Sequence, residues 1–253
     1  MLAMDTATGV VSVALHDGSR VLAQEDVARP QAHAEHLAPA VRAVLARAGR
    51  RPDEVTHVVA GTGPGPFTGL RVGLVTAATF GLAVGAQVGG VCSLDAIAHE
   101  VWLSGLVGSR VLVATDARRK EVYWAAYRLD ESGAHRDGDP AVGQAAQLPP
   151  QVRDWPVAGR GPLLYPQSFG VQGPQGASEG DEAGPGATPQ GAAAALVVPV
   201  LDVSAGVLAH LAIERLRSGV GLDSLQPLYL RRPDAQPQPQ PRPVTPAGER
   251  GRP

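Results

Sequence analysis

Residues 112–127, LVATDARRKEVYWAAY, restate residues 2–15, LAMDTATGVVSVAL. In each, an apolar run ends in an acid, Asp116 or Asp5. A four-residue polar turn follows, ARRK or TATG, and a second apolar-rich run returns. Runs rich in β-branched and aromatic residues between turn signals read as strands. Two matched hairpins are either a chance likeness or an internal duplication of a β-β-β-α unit, and the duplication is the reading adopted.

Outward from these hairpins, Asp17-Gly18 marks a turn into a third strand over 20–27. Leu37, Val41, Val44, Leu45 and Ala48 recur at spacings of three and four, predicting a helix over 33–48. Pro39 lies early in it and should kink its first turns or delay its start. A strand over 57–60 leads into the glycine-rich loop GTGPGPFT, residues 61–68, and then a helix over 69–84. A strand over 88–91 and a helix over 94–103 follow, with Ser93 placed to cap the helix. Residues 131–195 are rich in Gly, Pro, Gln, Ala and Ser, too poor in large apolar side chains to offset chain entropy. They are expected to be a mobile insertion, most clearly over 170–191. Strand-like residues 196–201, a helix over 203–216 and a short strand over 228–230 complete the pattern. The expected organisation is an N-terminal lobe over 1–108 and a smaller second lobe over 109–233. A proline-rich tail over 234–253 follows, polyproline II or disordered.

Composition narrows the function. The chain has 253 residues, 22 basic against 24 acidic side chains, and a net charge of -2. That excludes a strongly basic nucleic-acid module held by charge alone. Lys120 is the only lysine among residues dominated by Ala, Gly, Pro and Arg, which reads as coding bias and lowers the weight of any one arginine. Cys92 is the only cysteine, so no internal disulfide forms, which fits a reducing cytoplasm. The first residues lack the basic start and long apolar run of a signal peptide. The apolar stretch over 70–91 is interrupted by Arg71 and by glycines, so it reads as a core helix and no membrane span is expected.

The strand, glycine loop and helix around residues 57–84 could offer backbone N–H groups to an anion. The loop fits neither a Walker A spacing, which would need Gly at Pro64 and Lys at Leu70, nor G-x-G-x-x-G. A tight turn needing glycine is the plainer explanation. Asp5, Thr6, Gly63, Gly65, Thr68 and Asp116 are the candidate anion or nucleotide residues. Against that, Asp5 and Asp116 could simply accept hydrogen bonds from their own turns. His33 and His36, three apart with no third ligand nearby, are read as polar residues opening a helix, and no metal site or cofactor is expected. Gly69, Gly73, Ala77 and Gly81 recur every four residues and give the second long helix one face of tiny side chains. Glycine inside a helix costs roughly 1 kcal/mol against alanine, so this face implies close approach of something, within the subunit or from a partner. Leu70, Leu74, Ala78 and Leu82 read as the ordinary core face.

In order, LAMDTAT, HAEHLAPAV, GTGPGPFTGLRVGL, SLDAIA, DARRKEVYWAAY and PLYLR resemble the TsaB (YeaZ) family, the bacterial partner in making threonylcarbamoyladenosine on tRNA. The match is close over about 1–127 and looser over 203–231. Pro66 stands where family members usually carry Ser. The resemblance implies an α/β fold, the duplicated architecture of actin, Hsp70 and sugar kinases (ASKHA), with two β-sheet lobes and flanking helices. It implies a non-catalytic scaffold that docks a TsaD-like catalytic subunit, joined by a TsaE-like ATPase. That complex would transfer the threonylcarbamoyl group to the adenosine next to the anticodon. Docking through the first two long helices would place Gly69, Gly73, Ala77 and Gly81 at the interface, together with His33, Leu37 and Val41. A homodimer through the same helices is the resting alternative. The histidine pair that holds a metal in TsaD-like proteins is spaced by four, so it does not carry over to His33 and His36. Two other functions stay open: an ATP-dependent kinase or metallopeptidase-like enzyme using Asp5 and Asp116, and direct tRNA contact by Arg71, Arg118, Arg119 and Lys120.

Overall fold

The computed structural model describes residues 1–28, 33–171 and 196–231. Two β-sheets organise it. The first has the order β3-β2-β1-β4-β5, from β1 (Leu2–Asp5), β2 (Val11–His16), β3 (Val21–Val27), β4 (His57–Gly61) and β5 (Gln87–Val91). The second has the order β8-β7-β6-β9, from β6 (Arg110–Asp116), β7 (Glu121–Asp130), β8 (Gly133–Gln144) and β9 (Val157–Ala158). β1 pairs antiparallel with β2 and parallel with β4, and β6 pairs antiparallel with β7 and parallel with β9. The same four-strand topology thus occurs twice, and the repeated hairpins lie at its two centres.

Alternation along the strands explains the layers, because successive side chains of a strand point to opposite faces. From β1, Leu2 and Met4 face one core with Leu37, Val41 and Val44 of α1 (His33–Arg47) and Leu70 and Leu74 of α2 (Phe67–Val84). Ala3 faces the other way, into a second core. That core holds Leu94 and Ile97 of α3 (Ser93–Leu103), Leu208 and Ala209 of α5 (Ala205–Arg217), and Val111 and Val113 of β6. Leu112 and Ala114 turn to a third cluster on the outer face of the second sheet. Helices α3 and α5 are therefore shared filling between the two sheets. α5 comes from the C-terminal part of the chain yet packs on β1, β2 and β4 of the first sheet.

Several expectations are corrected. Residues 131–171 are not a mobile insertion: β8 pairs along β7, and Leu148, Val152 and Phe169 are buried on the second sheet, with short α4 (Gly161–Leu164) at the edge. A few well-spaced apolar residues and a full strand ladder suffice where mean composition looks poor. The remainder of that stretch, 172–195, and the tail beyond 231 lie outside the described residues. Helix α1 runs through Pro39 from His33 without a delayed start. Ser93 is the first residue of α3 and does not cap it, because its hydroxyl is used elsewhere. Residues 228–230 are no strand, although Leu228 N–H donates to Thr62 O at 2.9 Å.

Candidate functional site

Asp5, the acid that ends β1, faces no cleft. It is fully buried, and its carboxylate accepts Ser93 Oγ–H at 2.6 Å and the Ala7 amide at 2.8 Å. Burial raises its pKa from 3.8 to about 6, against the lowering pull of those two hydrogen bonds. Ser93 Oγ in turn accepts the Gly63 amide at 3.1 Å, so this loop donor is spent inside the protein. A Cβ added to Gly61 would lie 1.7 Å from Asp5 Oδ2, which shows how closely the loop is drawn onto the acid. Cys92 sits beside this network, and burial pushes its thiol up to about 12, so it is no nucleophile. Of the six candidate anion residues, Asp5, Thr6, Gly63 and Gly65 are thus buried in packing between the β1–β2 turn and the glycine loop. Thr68 and Asp116 reach an open space, and Gly65 touches a neighbouring groove.

That space is a cleft of about 620 Å³ between the two hairpin turns. Thr8, His33 and Thr68 line one wall, and Asp116, Arg118 and Arg160 the other. Arg160 is held by a bidentate pair with Asp202, Nη2 to Oδ2 at 2.6 Å and Nε to Oδ1 at 2.8 Å. Asp116 Oδ1 accepts the Arg118 amide at 2.7 Å, the same turn geometry that Asp5 makes with Ala7. Thr115, also on the cleft, is 5% exposed, and among the described residues its hydroxyl has no hydrogen-bond partner. The turn itself is strained: Arg118, Arg119 and Lys120 take φ values of 63°, 54° and 64°. Each left-handed L-residue costs roughly 1–2 kcal/mol. A neighbouring groove of about 310 Å³ gathers Arg118, Arg119 and Arg231 beside Tyr123, Phe67 and Tyr229. Phe67 stacks on Tyr229 at 4.9 Å, and Arg71 lies over the Phe67 ring at 4.1 Å. The arginines singled out in the sequence therefore meet aromatic rings at one end of the molecule.

The face of small residues on α2 is turned inward, contrary to the interface expectation. Gly69 and Gly73 receive the β1–β2 turn: added Cβ atoms would lie 2.6 Å from Thr6 O and 2.4 Å from Thr6 Oγ1. Gly81 receives β5, with Val88 Cγ2 at 2.2 Å from such a Cβ, and Ala77 is fully buried between them. Thr6 Oγ–H donates to Gly69 O at 2.7 Å, which locks the contact. Leu37 and Val41 are likewise in the protein's own core, and His33 sits half-buried at the cleft with Nε2 3.0 Å from Thr8 O. What α2 presents outward is the opposite face. Val75 is 62% and Leu82 85% exposed, with Ala78 and Thr79 exposed between them. Ala78 and Leu82 are thus surface residues, whereas Leu70 and Leu74 are core. The signal was available in the sequence, because a helix apolar all round must cover its outer face with something.

The family model for TsaD, tRNA N6-adenosine threonylcarbamoyltransferase, matches residues 25–163. An uncharacterized protein of Mycobacterium tuberculosis H37Rv is 40% identical over 240 residues, 94% of each chain. The Escherichia coli tRNA threonylcarbamoyladenosine biosynthesis protein TsaB is 40% identical over 135 residues, 53% of this chain and 57% of that one. The solved structure of YeaZ from Pseudomonas aeruginosa superposes with a TM-score of 0.69 at 29% identity, covering 90% of this chain and 98% of that one. With the repeated sheet topology and the GPGPFTGLR loop drawn onto a buried Asp5, these likenesses show that the chain belongs to the TsaB (YeaZ) family.

Proposed function

We propose that this chain works in the cytoplasm as the docking subunit of a TsaD-like transferase in threonylcarbamoyladenosine formation on tRNA. Membership of the TsaB family supports the pathway. The outward face of α2 carries the docking reading: Val75 and Leu82 stand in solvent with Ala78 and Thr79, on a helix whose opposite face is packed on its own subunit. Contiguous exposed apolar surface on a folded chain marks an interaction site. α1 packs alongside α2, so the two helices offer one continuous platform. The same platform would serve a second copy of this chain when the transferase is absent. A TsaE-like ATPase would join the assembled pair, and tRNA would be met through the complex, with the Arg118, Arg119 and Arg71 end as the contact from this subunit. The test is co-purification with TsaD after Leu82→Glu and Val75→Glu together. Surface changes of this kind normally alter stability by less than about 0.5 kcal/mol, so the variant should stay folded while TsaD is lost. Retention of TsaD at the wild-type level would refute the docking face.

A second reading rests on one observation. The buried, unpartnered Thr115 hydroxyl on the cleft, beside Asp116 and Arg118, suits a ligand with donors or acceptors of its own. In that reading the chain is a ligand-holding enzyme of the same duplicated fold. Asp5, turned into the core, contributes nothing to it.

A further inference from the structure

Helices α3 and α5 bring together three side chains far apart in sequence. His99 Nε2 lies 2.9 Å from His210 Nδ1 and 3.5 Å from Glu214 Oε2, and His210 Nδ1 lies 3.8 Å from Glu214 Oε1. His210 and Glu214 are one helical turn apart on α5, so both face the same neighbour. Their ligand atoms and that of His99 all lie within 4.8 Å of one another. We propose that His99, His210 and Glu214 form a zinc site in which water completes the coordination.

The distances come close. Tetrahedral zinc with bonds of about 2.0–2.1 Å holds its ligand atoms about 3.3 Å apart. The two histidine nitrogens are 2.9 Å apart and each lies within 4 Å of one or the other Glu214 oxygen, so side-chain shifts of about an ångström would admit the ion. Two imidazoles with one carboxylate and water make up a ligand set that zinc accepts, and the two imidazole nitrogens disfavour magnesium or calcium. The ring of His99 is stacked on Trp102 at 5.3 Å and its side chain is 3% exposed, so it is held in place. Zinc would replace the proton now shared between the two rings. The donor ring shifts that proton to its other nitrogen, and both facing nitrogens then present lone pairs with no net proton released. The side chains of His210 and Glu214 are 38% and 43% exposed, which opens a path from solvent and leaves room for water. Arg215, which follows Glu214 on α5, is engaged with Asp95 at 2.8 Å and Asp223 at 3.2 Å. His16, whose ring lies 6.4 Å from that of His210, already accepts the Gly18 amide at Nδ1. Because α3 packs on the second sheet and α5 on the first, the ion would pin the two halves together.

The experiment uses the untagged full chain, stripped with a chelator and dialysed against zinc. Expected are one zinc per chain by elemental analysis, the visible absorption of tetrahedral cobalt(II) on substitution, and a melting temperature raised by zinc. His210→Ala and Glu214→Gln replace half-exposed residues, so both should fold. Each should weaken zinc by at least the ~10–100-fold seen for lost supporting contacts, and abolish the zinc-dependent rise in melting temperature. Failure of the wild type to retain zinc, or retention unchanged in either variant, would overturn the three-ligand site. None of these readouts depends on TsaD.

Discussion

Replacing Asp5 with asparagine tests whether this acid is a buried structural carboxylate or a ligand-facing one. Its pKa of about 6 in the folded protein, against 3.8 as an ordinary carboxyl, has a defined consequence. Below about pH 4 the carboxyl is protonated whether or not the chain is folded. Between about 4 and 6 the folded protein keeps a proton that the unfolded chain has released, so acid favours folding. That stabilisation is lost as pH rises through 6, and the full loss is about 3 kcal/mol at ~1.4 kcal/mol per tenfold. The introduced carboxamide would keep an oxygen for the Ala7 amide and turn its NH₂ toward Ser93 Oγ, with no charge to bury. His99 acts the opposite way in the same window: its lowered pKa gives stability above about 6.5 that is lost as pH falls toward 4. The wild-type curve alone therefore shows little, and the difference between the two proteins isolates Asp5. Thermal melts from pH 4 to 7 should show Asp5→Asn gaining on the wild type by on the order of 3 kcal/mol, at about 2–4 °C per kcal/mol. A constant difference across that range would refute the burial account of Asp5.

Gly73→Leu should remove the cooperative melt itself, because its side chain would enter the space of Thr6, whose Oγ1 lies 2.4 Å from an added Cβ. A variant that melts like the wild type and fails only in TsaD binding would restore the small face of α2 as an interface. Calorimetric titration of the isolated chain with Mg-ATP should give no heat of binding if docking is its role. Micromolar binding lost in Thr115→Val would favour the ligand-holding reading of the cleft.

Much of this protein was legible before any coordinates. The repeated hairpins at Asp5 and Asp116, the periodicity of α1 and the loop at 61–68 depend on local alternation, spacing and turn chemistry, which a sequence displays directly. The tiny side chains on α2 likewise announced a close approach. What approaches them was decided by tertiary packing: the β1–β2 turn at Thr6 and the strand at Val88 fill the strip, and the apolar residues opposite are left outside. Two equivalent acids also part company in three dimensions. Asp5 is sealed by Ser93 and Gly61, while Asp116 keeps an edge on the cleft, although their sequence surroundings match. The cluster of His99, His210 and Glu214 shows in the sequence only as the one-turn spacing of its last two members, because His99 sits on a second helix that meets theirs between the sheets. Sequence alone determined the elements and their repetition, since those follow from short-range patterns. The structure decided which surfaces face inward and which distant side chains share a site, because that depends on how the layers stack.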